Sequence, residues 1–308
     1  ITGTVNSLAT GTIANTAKVN GTDTQTVSHT ATEGILISEF SSDTSTYTPN
    51  GTIVYTLKVK NSGAGHLTNI AVSVPMSSVQ TNWANGTIGP AFSSWTTSSV
   101  RGPARSARST DLSENITIAP GEEVTYTITA AVESLASGLI NSSATVNGTS
   151  TNLVGHTPTP GMLSATMTST TTNYLPNETI SYTITLTNTG SGFVENIPVV
   201  NLLDQIQTTL AAGVTGSAFS GWTIDAITTG VGTTSGTTSA NNNLNTTAIL
   251  GPNGTIIYTI TATVANNARG EIINTAQVNG ASLSTLVHSP KSIGLMNLTK
   301  RALSPQVM

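Results

Sequence analysis

Apolar residues alternate with threonine or lysine along several short stretches of the chain. The clearest are Thr52–Lys60, Val124–Thr129 and Ile256–Val264. Alternation with a period of two residues is typical of a strand that has one face buried and the other in water. Turn residues of the Pro-Asn-Gly or Pro-Gly-Glu kind stand before each stretch. No stretch has the pattern of an amphipathic helix, so the sequence predicts an all-β protein.

The strand pattern occurs twice along the chain. Residues Tyr47–Gly63 read YTPNGTIVYTLKVKNSG, and residues Tyr174–Gly190 read YLPNETISYTITLTNTG. Each copy later carries a matching Phe-Ser-X-Trp motif and a second strand of alternating pattern. Several short strands separated by turns are typical of an immunoglobulin-like sandwich. The sequence therefore predicts tandem immunoglobulin-like β-sandwich repeats, with complete copies at 30–156 and 157–288.

Both ends of the chain align with parts of a repeat. Residues 1–21 align without gaps with residues 260–280. Residues 1–29 are therefore predicted to be the terminal strands of a partial repeat, and they are candidates for donor or swapped strands. Ser292–Thr299 resembles a first strand, so 289–308 is predicted to be the first strand of a further repeat or an inter-subunit linker. The central strands are missing from both pieces, which together do not make a whole domain.

The composition of the chain indicates which partners and environments it is suited to. Charged residues make up 8% of the chain, the net charge is −4 and cysteine is absent. An ordinary soluble domain has roughly 25% charged residues, and a weakly charged surface favours association between copies. Nucleic acid is excluded as a partner because the chain is mildly acidic and has no basic stripe. No apolar run has the length that a transmembrane helix needs, so no membrane span is predicted.

Asn-X-Ser/Thr sequons are frequent in the chain. The motif is the acceptor of N-linked glycans in secreted proteins, although a sequence rich in asparagine and threonine also produces it by chance. Taken together, the sequons favour an extracellular or cell-surface protein to which glycans are covalently attached. The candidate sites are Asn20, Asn50, Asn85, Asn115, Asn141, Asn147, Asn177, Asn245, Asn253 and Asn297.

The order of the motifs resembles a known family. The run PNGTIVYTLKVKNSGAGHLTNIAVSVP, followed by APGEEVTYTITAAV and then GLINSSATVNG, is similar to the bacterial and archaeal surface repeat catalogued as domain of unknown function eleven. Both complete copies match over most of their length. The resemblance implies an immunoglobulin-like module that is used in tandem within large secreted or wall-linked proteins, including adhesins and fibre-forming proteins.

Side chains capable of catalysis or metal binding are scarce. His29, His156 and His288 recur at the same place, after the last strand of each repeat. Each stands alone, whereas a metal site needs several ligands, so we favour a junction residue that packs against the next domain. Nucleophile elbows, phosphate-binding loops and calcium loops are absent from the sequence. We therefore predict no enzyme activity, no catalytic residue, no metal and no cofactor.

Aromatic residues are few, and two pairs occupy equivalent positions. Phe92 and Trp95 in the first copy match Phe219 and Trp222 in the second. They are candidates for an exposed platform that binds glycan or a neighbouring subunit. We favour a place in the core instead, because a buried aromatic side chain contributes a large apolar area.

Basic residues form a single cluster, in a loop rich in glycine, proline and serine. Arg101, Arg105 and Arg108 lie within Val100–Thr110, and the second copy has the neutral run Thr228–Asn243 in about the same place. The arginines are either a solvated loop or a contact with an acidic patch on an adjoining subunit. Loops that differ between copies are where distinct contacts are expected.

The partial repeats lead to two hypotheses about function. In the first, copies of the chain join head to tail by β-strand addition and form an extracellular filament or surface fibre. In the second, the chain is a stalk or adhesin segment of a longer repetitive surface protein that binds glycan or a host surface. The candidate subunit contacts, besides the arginines, are Ile1, Val5, Ile13, Val19, Ile293, Leu295 and Leu298.

Overall fold

The computed structural model describes residues 1–6, 9, 11–100, 110–236 and 238–292. Within this part of the chain the regular structure consists of β-strands and two 3₁₀ helices of one turn each, Met76–Ser78 and Leu203–Gln205. The prediction of an all-β fold is confirmed. The following predicted site residues lie outside the described residues: Arg101, Arg105, Arg108, Ile293, Leu295, Asn297 and Leu298.

The N-terminal region contains four short strands. They are β1 (Ile13–Asn15), β2 (Lys18–Val19), β3 (Thr22–Asp23) and β4 (Val27–His29). All are antiparallel: β1 pairs with β4 and β2 pairs with β3. We call residues 13–29 the N-terminal hairpin.

Residues 36–158 form the first sandwich, in which strand β7 shows why the chain folds this way. Its burial alternates residue by residue, with Tyr55, Leu57 and Val59 buried while Lys58 and Lys60 are exposed. This is the period-two pattern read from the sequence. The strands are β5 (Leu36–Ser42), β6 (Thr46–Tyr47), β7 (Thr52–Asn61), β8 (Leu67–Val74), β9 (Gln80–Asn82), β10 (Ile88–Pro90), β11 (Phe92–Ser99), β12 (Leu112–Ile118), β13 (Glu123–Val132), β14 (Ile140–Ser142), β15 (Thr145–Val146), β16 (Thr149–Ser150) and β17 (Val154–Pro158).

Two four-stranded sheets cover each other in this sandwich. One has the order β11-β13-β7-β5 and the other the order β12-β8-β15-β16, and both are antiparallel. A smaller sheet, β14-β17-β6, closes one side, with β17 and β6 parallel. The inner faces enclose a single core that includes Phe40, Tyr55, Tyr126 and Ile128. This arrangement is that of an immunoglobulin-like sandwich.

Residues 163–290 form a second sandwich with the same strand pairings. Its four-stranded sheets are β18-β20-β26-β24 and β25-β21-β28-β29, and its small sheet is β19-β30-β27. The strands are β18 (Leu163–Ser169), β19 (Asn173–Tyr174), β20 (Thr179–Asn188), β21 (Val194–Asn201), β22 (Gln207–Thr209), β23 (Thr215–Ser217), β24 (Phe219–Thr229), β25 (Leu244–Leu250), β26 (Thr255–Val264), β27 (Ile272–Asn274), β28 (Gln277–Val278), β29 (Ala281–Ser282) and β30 (Leu286–Pro290).

The equivalent aromatic pairs belong to the two cores. Phe92, Trp95 and Phe219 are buried, and Trp222 is partly buried against the second core. The indole nitrogen of Trp95 donates a hydrogen bond to the carbonyl of Thr110 at 3.1 Å. The prediction of a core role is confirmed for the three buried rings, and Trp222 lies at the margin of the core.

A buried asparagine ends the third strand of each sandwich, β7 in the first and β20 in the second. The amide nitrogen of Asn188 donates to the carbonyl oxygens of Gly192, Leu250 and Gly251, at 2.7, 3.2 and 2.9 Å. Its side-chain oxygen accepts from the backbone N–H groups of Met162 and Gly190. In the first sandwich, Asn61 makes equivalent bonds to the backbone of Ile35, Gly63, Gly65 and Ile118. One side chain therefore connects the start of the first strand of each sandwich, β5 or β18, to the loops beside it.

Replacing Asn188 with alanine should lower the free energy of unfolding of the second sandwich by about 3 kcal/mol, because several buried backbone groups would lose their partner. The matched control is Asn245→Ala at an exposed strand position, for which we expect a change below about 0.5 kcal/mol. Urea unfolding followed by fluorescence measures both. Equal losses in the two variants would contradict the assigned role of Asn188.

Candidate assembly site at the N-terminal hairpin

The N-terminal hairpin folds locally as the last strands of each sandwich do. An Asn-Gly pair with positive φ, Asn20 at 50° and Gly21 at 82°, makes the turn between β2 and β3. Asn147 and Asn279 adopt the same conformation at the matching turns, as two-residue hairpin loops require. The backbone N–H of Ala17 donates to the hydroxyl of Thr24 at 3.0 Å. The matching bond in the first sandwich, from Ala144 to Thr151, has the same length.

In the two sandwiches, neighbouring strands cover the segments that match the N-terminal hairpin. In the first sandwich β15 pairs with β8 and β17 pairs with β6. In the second, β28 pairs with β21 and β30 pairs with β19. Within the described part of the chain, β1 to β4 pair only with one another. The outer backbone edges of the hairpin are therefore free to accept a strand.

Residues that are core in the sandwiches are exposed in the N-terminal hairpin. Ile13 is 41% exposed, whereas its equivalents Ile140 and Ile272 are 0% exposed. Val19 is 66% exposed, against 1% for Val146 and 3% for Val278 in the equivalent positions. The hairpin therefore exposes a face whose residues are buried at the equivalent positions of the two sandwiches. This face includes two of the predicted contact residues.

Histidine occupies the same place in all three hairpins. His156 is buried with its ring edge-on to Tyr55, and the ring centroids are 5.2 Å apart. His288 makes the same contact with Tyr182, also at 5.2 Å. The expectation of a junction residue that packs against the next domain is wrong for these two histidines. They lie inside their own sandwiches, because β17 and β30 direct them between the sheets, whereas His29 is exposed.

Burial affects the titration of the two enclosed histidines. It lowers the pKa of His156 and of His288 below the usual value of imidazole, because a low-dielectric surrounding disfavours the charged ring. The carboxylate of Asp43 opposes this effect in part at His156. Burial also raises the pKa of Tyr55 and Tyr182. Both members of each pair are therefore neutral near neutral pH.

A cavity of about 360 Å³ separates the hairpin from the first sandwich. Its lining includes Val5, Ile13 and His29, together with His66 and Pro120 of the first sandwich. The lining thus includes two of the predicted contact residues, Val5 and Ile13. Ile1 is fully exposed and does not line the cavity. The cavity adjoins residues of the hairpin that match core positions of the sandwiches.

The sequon asparagines that the structure describes are all solvent-exposed. Exposure makes their side-chain amides accessible for attachment of a glycan, and glycosylation itself stays a prediction. Among the described residues, no group of three or more His, Cys, Asp or Glu side chains is placed to hold a metal ion. The described helices include none that is long and apolar enough to cross a membrane.

No protein-family model and no curated protein match the chain, so its resemblance to a surface repeat family stays a prediction. Among solved structures, the chain is similar to the Yersinia pseudotuberculosis adhesin InvE, with 14% identity and a TM-score of 0.27. It is also similar to the C-terminal domain of the Streptococcus pyogenes antigen I/II-family protein AspA, with 12% identity and a TM-score of 0.27.

Both alignments cover 82% of this chain, and they cover 58% of the Yersinia chain and 98% of the Streptococcus chain. This chain therefore spans less than two thirds of the Yersinia chain to which it is similar. The strand pairings described above define an all-β protein built of immunoglobulin-like β-sandwiches.

Acid should destabilise both sandwiches through their buried histidines. The folded-state pKa of His156 and His288 lies below the unfolded value, so their contribution is intact above the usual titration range of imidazole and is lost as the pH falls through it. We expect a lower urea midpoint at pH 5 than at pH 7.5. His288→Phe keeps an aromatic ring and cannot be protonated. The second sandwich of this variant should therefore lose less stability between pH 7.5 and pH 5. If the stability of His288→Phe depended on pH as strongly as that of the unchanged protein, buried His288 would not be a source of the acid sensitivity.

Proposed function

We propose that the protein is a structural, non-enzymatic subunit of an extracellular filament or surface fibre, assembled head to tail. In this assembly the N-terminal hairpin of one copy is covered by strands of a neighbouring copy. The observation that supports the proposal is the exposure of Ile13 and Val19, whose equivalents in both sandwiches are buried. A partner that covers this face would bury the residues that match core positions of the sandwiches.

Covering the hairpin would supply a substantial driving force. Burying a valine or isoleucine side chain contributes about 1.5–3 kcal/mol, and Ile13, Val19 and Val27 are all exposed. The free backbone edges would add ladder hydrogen bonds, as β-strand addition does in other assemblies. A low density of surface charge leaves little repulsion to oppose the approach of copies.

The proposed contact joins two unlike segments of the chain. The N-terminal hairpin carries the last strands of a sandwich, and Ser292–Thr299 has the sequence of a first strand. A contact between unlike ends does not close on itself, so it propagates along a line. Glycans on exposed sequons, such as Asn50 and Asn177, would extend from the sides of such a fibre.

The second candidate function is a stalk or adhesin segment of a longer repetitive cell-surface protein that binds glycan or a host surface. The same hairpin supports it, because its internal bonds match those of complete sandwiches, as in Ala17 and Ala144. In that case strands of the same polypeptide would cover the hairpin. Single elongated particles with saturable ligand binding would favour this candidate over a self-assembling fibre.

Val19→Asp should prevent fibre formation, because the change places a charge on the face that has to be buried. The matched control is Ile88→Asp. Ile88 lies in β10 of the first sandwich, outside the hairpin, and is 68% exposed. Negative-stain electron microscopy and sedimentation compare the two variants with the full chain and with a chain that lacks residues 1–29.

The expected result is fibres from the full chain and from Ile88→Asp, and dispersed particles from Val19→Asp and from the truncated chain. Dispersed rods from all four proteins would contradict the filament proposal and would direct the search toward ligands of a stalk. Fibres from all four would show that the hairpin is not the contact.

A further inference from the structure

A second cavity, of about 340 Å³, opens on the surface of the second sandwich. It lies between the end of β21, the start of β22 and the point where the chain crosses from the sheet of β27 to the sheet of β28. Its volume is at the lower end of the range for small-molecule sites, about 300–1,000 Å³. All the residues that line it belong to the second sandwich, so the cavity is separate from the N-terminal hairpin.

The polar part of the lining consists mainly of primary amides. Gln205, Gln207 and Gln277 are exposed, and Asn274, which also lines the cavity, is 1% exposed. A primary amide offers two N–H donors and an acceptor oxygen with two lone pairs. The lining therefore suits a ligand whose polar groups both donate and accept hydrogen bonds.

The cavity is suited to a neutral ligand. The part of its lining that the structure describes contains no charged side chain. Asp204, beside the lining residue Gln205, bonds instead to the side-chain amide of Asn243 at 2.8 Å. A charged ligand would lose its water in this cavity without gaining a counter-charge, which is unfavourable.

We propose that this cavity binds a neutral saccharide by one pyranose ring. Each hydroxyl of such a ring donates and accepts, as the amides of the lining require. The C–H groups of the ring suit the apolar part of the lining, which is formed by Val200, Leu202, Ile206 and Ile273. The proposal does not rest on the filament, and it gives the second candidate function a defined binding site.

Two buried asparagines fix an amide in the cavity. The side chains of Asn201 and Asn274, each 1% exposed, donate to each other's oxygen atoms at 2.6 and 3.3 Å. The Asn201 amide also donates to the carbonyl of Thr275 at 3.3 Å. The orientation of the Asn274 amide is therefore set before a ligand binds. Such preorganisation lowers the free-energy cost of binding.

This buried pair is a departure from the pattern of the repeat. In the first sandwich, Val74 and Ser142 occupy the positions of Asn201 and Asn274. Two buried amides are less favourable in a core than an apolar side chain, and their mutual hydrogen bonds offset this cost only in part. Positions at which a sequence departs from the pattern favoured by its fold are expected at functional sites.

The exposed part of the lining differs between the two copies as well. Gln205 corresponds to Ser78 in the first sandwich, and Gln277 corresponds to Thr145. The shorter side chains carry a hydroxyl in place of an amide and extend less far from the backbone. The amide-rich cavity is therefore a property of the second sandwich, and the first sandwich provides matched control positions.

A peptide in extended conformation suits this cavity less well than a saccharide does. Peptides that bind by strand addition need a free strand edge. β21 pairs on both sides, with β25 and β28, and β28 pairs on both sides, with β21 and β29. At these two strands the cavity presents side chains and no free backbone edge.

Saturation-transfer NMR with the full chain tests the site. The uncharged probes are the methyl glycosides of glucose, galactose, mannose, N-acetylglucosamine and N-acetylgalactosamine. The methyl glycoside of glucuronic acid is the charged probe, and triglycine blocked at both ends is the peptide probe. We expect saturation transfer to at least one uncharged glycoside, and weaker transfer to the charged probe and to the peptide.

Variants then locate the bound ring. Gln207→Leu and Gln277→Leu each remove one amide from the lining, and the matched control is Gln80→Leu, at the position of the first sandwich that corresponds to Gln207. Loss of one hydrogen bond should weaken binding of the best glycoside by about three- to ten-fold in each cavity variant. Gln80→Leu should bind as the unchanged chain does. All three glutamines are exposed, so the urea midpoints should stay the same.

Absence of saturation transfer to every uncharged glycoside would overturn the inference. Equal or stronger binding of the charged probe or of the peptide would also overturn it. Unweakened binding by Gln207→Leu or Gln277→Leu, or weakened binding by Gln80→Leu, would contradict the assignment of the saccharide to this cavity. None of these results bears on the filament proposal, which the microscopy of the hairpin variants tests separately.

Discussion

The burial of the last hairpin between two sheets is the interaction on which each sandwich depends. In residues 140–158 and 272–290 this hairpin pairs with one sheet through its short inner strands and with a small sheet through its last strand. It brings Ile140 and His156, or Ile272 and His288, into the core. A sheet that is apolar on one side is stable only when another layer covers that side. The N-terminal hairpin has an isoleucine and a histidine in the equivalent positions, and in the part of the chain that the structure describes no such layer covers it.

A second constraint, a buried asparagine, acts at the point where the chain enters the second sandwich. The Asn188 side chain accepts a hydrogen bond from the backbone N–H of Met162, directly before β18, and donates to three backbone carbonyls. Gly192 allows the close approach, since a Cβ atom there would lie 1.7 Å from the carbonyl oxygen of Thr159. A buried amide with this many partners fixes one geometry, because any other would leave polar groups unpaired. The connection into the second sandwich is therefore well determined.

The sequence predicted the long strands well, because their signal is local. β7, β13, β20 and β26 follow directly from the alternation of apolar residues with threonine or lysine, and the tyrosines at their centres are buried. The hairpins β9–β10 and β22–β23 were not predicted, since their short strands carry no clear period. Alternation also says nothing about which sheet a strand joins, so the step from β14 to β15 between sheets depends on tertiary pairing.

The candidate site was predicted in part. Ile13 and Val19 were identified because residues 1–21 align with the end of a repeat, and both side chains are exposed, unlike their equivalents in the two sandwiches. The role of the histidines was misjudged, because a lone histidine gives no sign of the ring that it contacts. The recurrence of Tyr55 as Tyr182, alongside that of His156 as His288, was the signal that could have linked them. Such a link needs the fold, since these residues are distant in sequence.

Hydrogen exchange of the backbone amides in residues 13–29, measured in the dispersed chain and in the assembled state, tests the central claim most directly. Exchange reports local opening, and exposed, unpartnered strands exchange fast. The account predicts fast exchange in the dispersed chain, slow exchange at 140–156 and 272–288 in both states, and protection of 13–29 on assembly. Slow exchange of 13–29 in the dispersed chain, or fast exchange that persists in the assembled state, would contradict it.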